Sequence, residues 1–557
     1  MRGRLANSAA IGLMGVGVLG AAHLTSGQGR RPNAQIVMPE MDKEKIRAHV
    51  RFLASDLLEG RGTGQRGGDI AAEYIATQFA LYGLKPAGDN GTYFQNVPMV
   101  AVKTLLESTF RFEGASGNPL EAKNLDDFVT SNESQTETAD IDAPLVFVGY
   151  GIKAPEYDWD DYKTVDLKGK VAVVFVNEPS SDDPEFFKGK ALTYYGRWTY
   201  KYEETARRGA VATLIIHRTD LASYGWDVVR NTWGKERSYL KRDETPKLQA
   251  AAWIQLETAR KIFGMVELDL DKLFERAQRK DFKPLQMPIH LKAHLASQLR
   301  PFVSRNVLGI LPGSDPALGK EAVMYTAHYD HLGIDPSLKG DNIYNGANDN
   351  ATGCGILLEL ARAWSGKPSL RSIVFASVTA EEQGLLGSEY LGKHSPIPPG
   401  KIMVDLNFDA VPPLGTPEEV EVTGAERTTF YGVVRATARD LHLAIRPDPR
   451  PEAGHYYRSD HFSLARVGVP AFSINEGIKY AGHPPEWGEA QLKDYTEHRY
   501  HQPSDEYSPE MDFTGDALIA KFGYLLGSRA GVLPEQTGWV AGDEFAAARK
   551  ASQSGTQ

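Results

Sequence analysis

Soon after residue 41 the apolar positions fall at helical spacing. Ile46, Val50, Leu53 and Leu57 recur with charged residues between them, a period that predicts an amphipathic helix. The loop Glu59-Gly60-Arg61-Gly62-Thr63-Gly64 follows and reads as a flexible connection. A second amphipathic helix places Ala71, Ile75 and Phe79 on one face and stops at Gly83. Between about residues 135 and 290 the pattern shortens. Pro144–Val148, Val171–Val176 and Ala212–Ile215 are apolar runs bounded by Gly, Pro or Asp, as strands usually are. This stretch predicts a separate, β-rich inserted domain. From Val303 onward strands and helices alternate. Asn306–Leu311, Val323–Ala327, Ile373–Val378, Ile402–Phe408 and Val469–Ile474 read as strands, and Gly355–Trp364 and Gly384–Leu391 as helices. That rhythm predicts an α/β fold, a mainly parallel sheet sandwiched by helices. The tail, residues 536–557, is polar with Ala, Gly and Ser, and is expected to be loosely ordered.

Composition narrows the class. The 557 residues are 41% hydrophobic, ample for a large core. The formal charge of -10 is spread without a basic stripe, which argues against nucleic-acid binding. Arg2 and Arg4, the apolar Ala9–Leu24 stretch and the small residues Thr25-Ser26-Gly27 form an export signal over residues 1–29. The apolar part is too short and too glycine-rich for a membrane span, so a secreted or periplasmic protein is expected. One cysteine, Cys354, leaves an exported chain without an internal disulfide. Packing is its expected role. The resulting plan is a signal at 1–29, a first part of the main domain at 41–134, an insert at 135–290, the catalytic part at 296–535 and the tail.

One motif is a decoy. Gly62-Thr63-Gly64-Gln65-Arg66-Gly67 satisfies the dinucleotide fingerprint as a string. A helix precedes it, where that fingerprint needs a strand, so no nucleotide is expected. Neither a Gly-x-Ser-x-Gly elbow nor a His-Glu-x-x-His pair occurs, so serine-hydrolase and single-zinc protease chemistry lack support.

The potential ligands fall at the ends of the predicted strands. His328-Tyr329-Asp330 closes one strand, Asp349-Asn350 opens the next helix, and Glu381-Glu382 and Asp409 close two further strands. His501 lies in a late loop with Asp505. Each alone is a surface pair or a helix cap. Together they bring imidazole nitrogens and carboxylate oxygens to the carboxyl edge of one sheet, where open α/β folds bind ligands. Imidazole and carboxylate without thiolate suit catalytic zinc, or manganese or cobalt. Two histidines and three carboxylates hold two ions if one carboxylate bridges, and a remaining carboxylate serves as general base.

The ordered set His328-x-Asp330, Asp349-Asn350-Ala351-x-Gly353, Glu381-Glu382, Asn407-x-Asp409 and His501-x-x-x-Asp505 resembles metallopeptidase family 28. These are co-catalytic zinc exopeptidases that include bacterial aminopeptidases and glutamate carboxypeptidase. The resemblance runs from about Met41 to about residue 535. It implies one zinc on His328, Asp349 and Asp409 and a second on Asp349, Glu382 and His501, with Asp349 bridging. It further implies Glu381 as general base and Asp330 as the hydrogen-bond partner that orients His328. Val146–Gly151, Asp160-Asp161-Tyr162 and Leu167–Val171 resemble a protease-associated domain, a lid beside the active-site mouth in relatives. Parts of the family use a tyrosine to stabilise the oxyanion. The segment His455–His461 is its counterpart by resemblance, with Tyr456 favoured over Tyr457; simple packing of both tyrosines is the competing expectation.

The implied activity is hydrolysis of peptide substrates, with an aminopeptidase first and a carboxypeptidase or dipeptidase second. Arg458 and Arg466, near the expected site, keep the second reading open, because a substrate carboxylate needs a cation. A non-catalytic binding protein on a peptidase scaffold would have lost ligands, and all five are present. A single-zinc glutaminyl cyclase-like transferase is disfavoured by the same set.

Overall fold

The computed structural model describes residues 38–555, apart from 116, 223, 243 and 244. The expected export signal therefore lies outside the described residues. The first helix, Lys43–Leu53, is capped by the Asp42 carboxylate, which accepts the backbone N–H groups of Glu44 and Lys45. Ile46, Val50 and Leu53 are buried. The helix stops at Leu53, a turn short of the expected run, and Leu57 is 76% exposed. Ser55 caps a new short turn at Leu57 instead, so the local cap overrides the continuing apolar spacing.

Six strands form the frame that carries the site: β1 (Phe94–Thr104), β2 (Leu285–Leu311), β3 (Ala322–His328), β4 (Ser372–Val378), β5 (Ile402–Phe408) and β6 (Ala471–Glu476). Their spatial order is β1-β2-β4-β3-β5-β6. The pairs β4/β3, β3/β5 and β5/β6 are parallel. β2 pairs antiparallel with β4, and β1 antiparallel with β2. Every residue of β3, β4 and β5 is buried, as expected for strands covered on both faces.

Alternate residues of these strands build two different layers. On one face Tyr325 stacks on Phe375 at 5.2 Å, and Phe79 of the helix Arg66–Leu81 packs at 6.2 Å from Phe375. The indole of Trp364 donates to the Tyr325 hydroxyl at 3.1 Å, which donates to the Gly523 carbonyl at 3.1 Å. The helices Thr352–Trp364 and Thr514–Val532 are thereby fixed on this side. On the other face Met324, Val374 and Ala376 meet Leu391, Phe462 and Leu464.

The strand β2 continues into a second sheet. Residues 285–296 pair with Thr138–Phe147 and, over part of that length, with Thr109–Gly114. Beyond them Val171–Phe175, Ala212–Ile216 and Ala250–Ile254 run parallel in succession, and Phe128–Ser131 closes the edge. Phe110, Phe147, Phe175 and Phe263 centre its core. Three strands of this sheet, Thr109–Gly114, Leu120–Ala122 and Phe128–Ser131, precede residue 135.

Two expectations about loose segments are corrected. The tail is packed: Trp539 and Phe545 are 7% and 4% exposed and join the core around Phe462. Arg549, in the helix Ala546–Ser554, donates to the carbonyls of Thr537 and Pro399. Two aromatics and one arginine anchor a segment whose average composition is polar. The Glu59–Gly64 loop is likewise buried at its centre, and Arg61 is wholly enclosed.

Candidate active site

The parallel strands deliver the ligands to one edge. His328 is the last residue of β3, Asp409 follows β5, and Glu381 and Glu382 sit in the turn after β4. Asp349 lies in the turn that leads into the helix Thr352–Trp364, and His501 in the loop after the helix Trp487–His498. Two groups of side chains stand close enough to hold a cation: His328, Asp349 and Asp409, and His331, Asp349 and Glu382.

The distances are those of ligand sets. His328 Nε2 lies 3.1 Å from Asp409 Oδ1 and 3.4 Å from Asp349 Oδ1. His501 Nε2 lies 3.2 Å from Asp349 Oδ2 and 3.2 Å from Glu382 Oε2. Donors about 2.0–2.1 Å from a tetrahedral ion stand about 3.3 Å apart. Asp349 turns one oxygen to each set, the arrangement a bridging carboxylate requires. All five expected ligands thus converge.

The charges fit cations as well as the distances do. Burial disfavours a charged His328, yet the carboxylates of Asp409 and Glu381 outweigh it and hold the imidazole well above its ordinary value. Burial also opposes charge on His501, but its bonds to Asp349 and Glu382 raise it to about 10. Burial holds Glu381 well above the carboxylate range, and the carboxylates of Asp409, Glu382 and Asp460 push the same way against His328. A buried cluster with this excess of carboxylate is stable only with compensating positive charge, from protons or from metal. The imidazole and carboxylate donors present fit divalent zinc.

Supporting contacts fix each ligand. His328 Nδ1 points at the Asp330 carbonyl oxygen at 3.1 Å, with the Asp330 carboxylate at 3.8 Å, which leaves Nε2 turned to Asp349 and Asp409. The Asp330 carboxylate instead accepts the Glu381 backbone N–H at 3.1 Å and the Thr63 hydroxyl at 2.8 Å. It ties the Glu381 backbone to the His328 turn. Ser459 donates to Asp409 Oδ2 at 2.6 Å, and Asn407 donates to Ser459 at 2.8 Å. Burial pushes the Cys354 thiol up to about 11; its sulfur faces the His328 carbonyl at 3.1 Å, a packing role.

Several functional residues carry no clear signal in the sequence. His331 Nδ1 meets Glu382 Oε1 at 2.6 Å, and its Nε2 is buried without a partner. The Asp505 carboxylate accepts the N–H groups of Asn348 and Asp349, each at 3.1 Å, and so sets the bridging loop. Arg61 donates to the carbonyls of Tyr329, Leu53, Asn345 and Gly346 at 2.7, 2.6, 2.5 and 2.8 Å. It clamps the turns that hold His328 and Asp349. Gly60 permits this, since a Cβ there, at φ +67°, would stand 2.4 Å from the Gly333 carbonyl oxygen. The His-x-x-His spacing of 328 and 331, Asp505 four residues after His501 and the arginine within a glycine run are the hints the chain offers.

The tyrosine expectation is corrected. The Tyr456 hydroxyl donates to the Ala471 carbonyl at 3.0 Å, and the Tyr457 hydroxyl to Glu544 at 2.7 Å. Tyr456 is 6% exposed, with the Arg427 guanidinium 4.4 Å from its ring. Both tyrosines are packing residues with hydroxyls bonded to groups outside the His328–Asp349–Asp409 cluster. Arg466 is also engaged, paired with Glu203 at 2.8 Å. Arg458 is exposed.

Residues 306–519 match the model of peptidase family M28. Over this segment the chain is similar to that family. The match covers β3 to β6 and every expected ligand. Aminopeptidase YwaD of Bacillus subtilis (strain 168) is 37% identical over 91 residues, 16% of this chain and 18% of that protein. A protein of Pyrenophora tritici-repentis described as a probable zinc metalloprotease is 38% identical over 94 residues, 17% of this chain and 19% of its own length. The chain thus aligns with about a fifth of the length of these curated relatives. Among solved structures, an aminopeptidase from Aneurinibacillus sp. strain AM-1 superposes with a TM-score of 0.45 at 19% identity, covering 87% of this chain and 94% of that one.

Proposed function

We propose that this chain is an exported, two-zinc exopeptidase that removes N-terminal residues from peptides. The observation that carries the reading is Asp349, whose two oxygens address His328 and Asp409 on one side and Glu382 and His501 on the other. His328, Asp349 and Asp409 would hold one ion; Asp349, Glu382 and His501 would hold the other. When bound, such a pair lowers the pKa of a water and polarises a carbonyl. The residues of the chain do the rest. Glu381 takes the proton from the attacking water and passes it to the leaving amine. Asp330 holds the Glu381 backbone in register. Ser459 and Asn407 orient Asp409. The relatives' names support the aminopeptidase form. The N-terminal sequence pattern supports export, and the second sheet is read as the protease-associated domain. Among the described residues no helix is long and apolar enough to cross a membrane.

A carboxypeptidase or dipeptidase is the second reading, favoured by Arg458, an exposed cation next in the chain to Ser459, whose hydroxyl bonds Asp409 at 2.6 Å. The test is hydrolysis of one short peptide with its N-terminus free or acetylated, each with and without chelator. Cleavage of the free form alone, stopped by chelation, is expected. Equal cleavage of the acetylated form would overturn the aminopeptidase reading, and chelator-resistant cleavage would overturn the metal.

A further inference from the structure

A buried strand at the centre of the sheet carries an acid with no cation beside it. Asp405 lies in β5 and is wholly enclosed. Among the described residues its carboxyl has no ion pair. Its one hydrogen-bond partner there is the Thr326 hydroxyl of β3, 3.1 and 3.2 Å from its two oxygens. Thr326 Oγ1 also lies 2.9 Å from Asn407 Oδ1. The Asn407 amide nitrogen lies 2.8 Å from Ser459 Oγ, which in turn lies 2.6 Å from Asp409 Oδ2. Asp405, Thr326, Asn407, Ser459 and Asp409 thus form one continuous line of contacts, and the first four are buried. Buried polar groups are hydrogen-bonded, so the protons along this line can be assigned.

The assignment starts at Asp409. A carboxylate that ligates a cation has no proton and only accepts, so the single hydroxyl proton of Ser459 lies on the bond to Asp409 Oδ2. Ser459 then accepts from Asn407, which turns the amide nitrogen to Ser459 and the amide oxygen to Thr326. The single Thr326 proton lies on the bond to that oxygen. Thr326 has only lone pairs left for Asp405, and the contact is a hydrogen bond only if Asp405 carries a proton and donates it. An ionised Asp405 would face bare lone pairs in a buried site without a cation, which is costly. Burial pushes the Asp405 carboxyl well above the carboxylate range, against the Thr326 bond, and the Asp460 carboxyl adds to it. We infer that Asp405 is a neutral carboxylic acid heading a one-way chain of four hydrogen bonds, and that through this chain it is a positioning residue for the metal ligand Asp409. Each donation polarises the next. The last one holds Oδ2 and leaves Oδ1 turned to His328 at 3.1 Å. The acid adds no charge to a site already rich in carboxylate. The inference rests on the metal reading above.

The experiment uses the zinc-loaded full chain at neutral pH. The infrared difference spectrum of the unaltered protein against Asp405→Asn should show the carbonyl band of a carboxylic acid, shifted in heavy water. In chelator competition Asp405→Val should release one of the two zinc ions about tenfold more readily, the low end for partners outside the ligand shell, because Asp409 serves one ion only. Thr326→Val, which removes the middle link, should match it. Asp405→Asn, whose amide N–H can donate to Thr326 as the acid does, should recover most of the loss. Absence of the acid band would overturn the neutral Asp405 and the chain's direction. An Asn variant as weak as the Val variant, a Val variant as tight as the unaltered protein, or equal weakening of both ions would overturn the positioning role and leave the metal reading standing. An unaltered chain that binds no zinc would overturn the metal reading, and the role of Asp405 with it.

Discussion

Zinc uptake by the metal-free protein should expel two protons per chain at pH 7 from its histidines. The count follows from the site. Burial opposes charge on His328 and His501, but facing carboxylates hold both above their ordinary values, so each carries its proton at neutral pH without metal. Burial opposes ionisation of Asp349 and Glu382, but their bonds to neighbouring histidines lower both; neither has a proton to give. Ligation needs the imidazole lone pair.

The sign is then fixed. Raised pKa values in the free state mean that acid competes with metal. Each expelled proton makes the overall binding constant fall about tenfold per unit of acidification, so two give about a hundredfold near pH 7. The His501 contribution persists until the pH passes about 10 and vanishes above it. Titration calorimetry with zinc in buffers of different ionisation enthalpy reads the number directly, as the slope of apparent enthalpy on buffer enthalpy. A buffer-independent enthalpy would refute the reasoning, because histidines that face ionised carboxylates at 3.1–3.4 Å cannot then be the charged groups displaced.

In turnover assays Glu381→Gln should lose about 10²–10⁴-fold in kcat while metal analysis still finds both zinc ions. Asp349→Asn should weaken both sites together, since its two oxygens serve two sets; loss of a single ion on dialysis would contradict the bridge. Tyr456→Phe removes one buried hydrogen bond to Ala471 and should cost about 1 kcal/mol in denaturant unfolding with kcat unchanged, whereas a large fall in kcat would restore the oxyanion role. Arg61→Met strands four buried carbonyls and should cost about 3–5 kcal/mol, offset in part by the lost desolvation of the charge; unfolding with and without zinc measures both that loss and the accompanying loss of metal affinity.

What is legible in the chain divides along a physical line. The alternation of buried strands and helices after Val303 is a property of local sequence, so the frame of β2 to β6 can be read from the order of residues alone. The ligands His328, Asp349, Glu382, Asp409 and His501 are legible because a parallel sheet fixes which end of each strand meets its neighbours' ends. The supports are not legible, because their chemistry is defined across the chain. Arg61 looks like a loop cation until Tyr329, Asn345 and Gly346, more than 260 residues later, present their carbonyls to it. The spacing from His501 marks Asp505, but not what it holds, until the backbone N–H groups of Asn348 and Asp349 arrive. Tyr456 fails for the opposite reason. Spacing from Ser459 and Asp460 puts it near the site along the chain, but spacing does not say where a hydroxyl points, and β6 offers the Ala471 carbonyl first. Ligands read from strand ends are therefore the sturdier inference, and roles read from proximity in sequence need a partner atom before they are assigned.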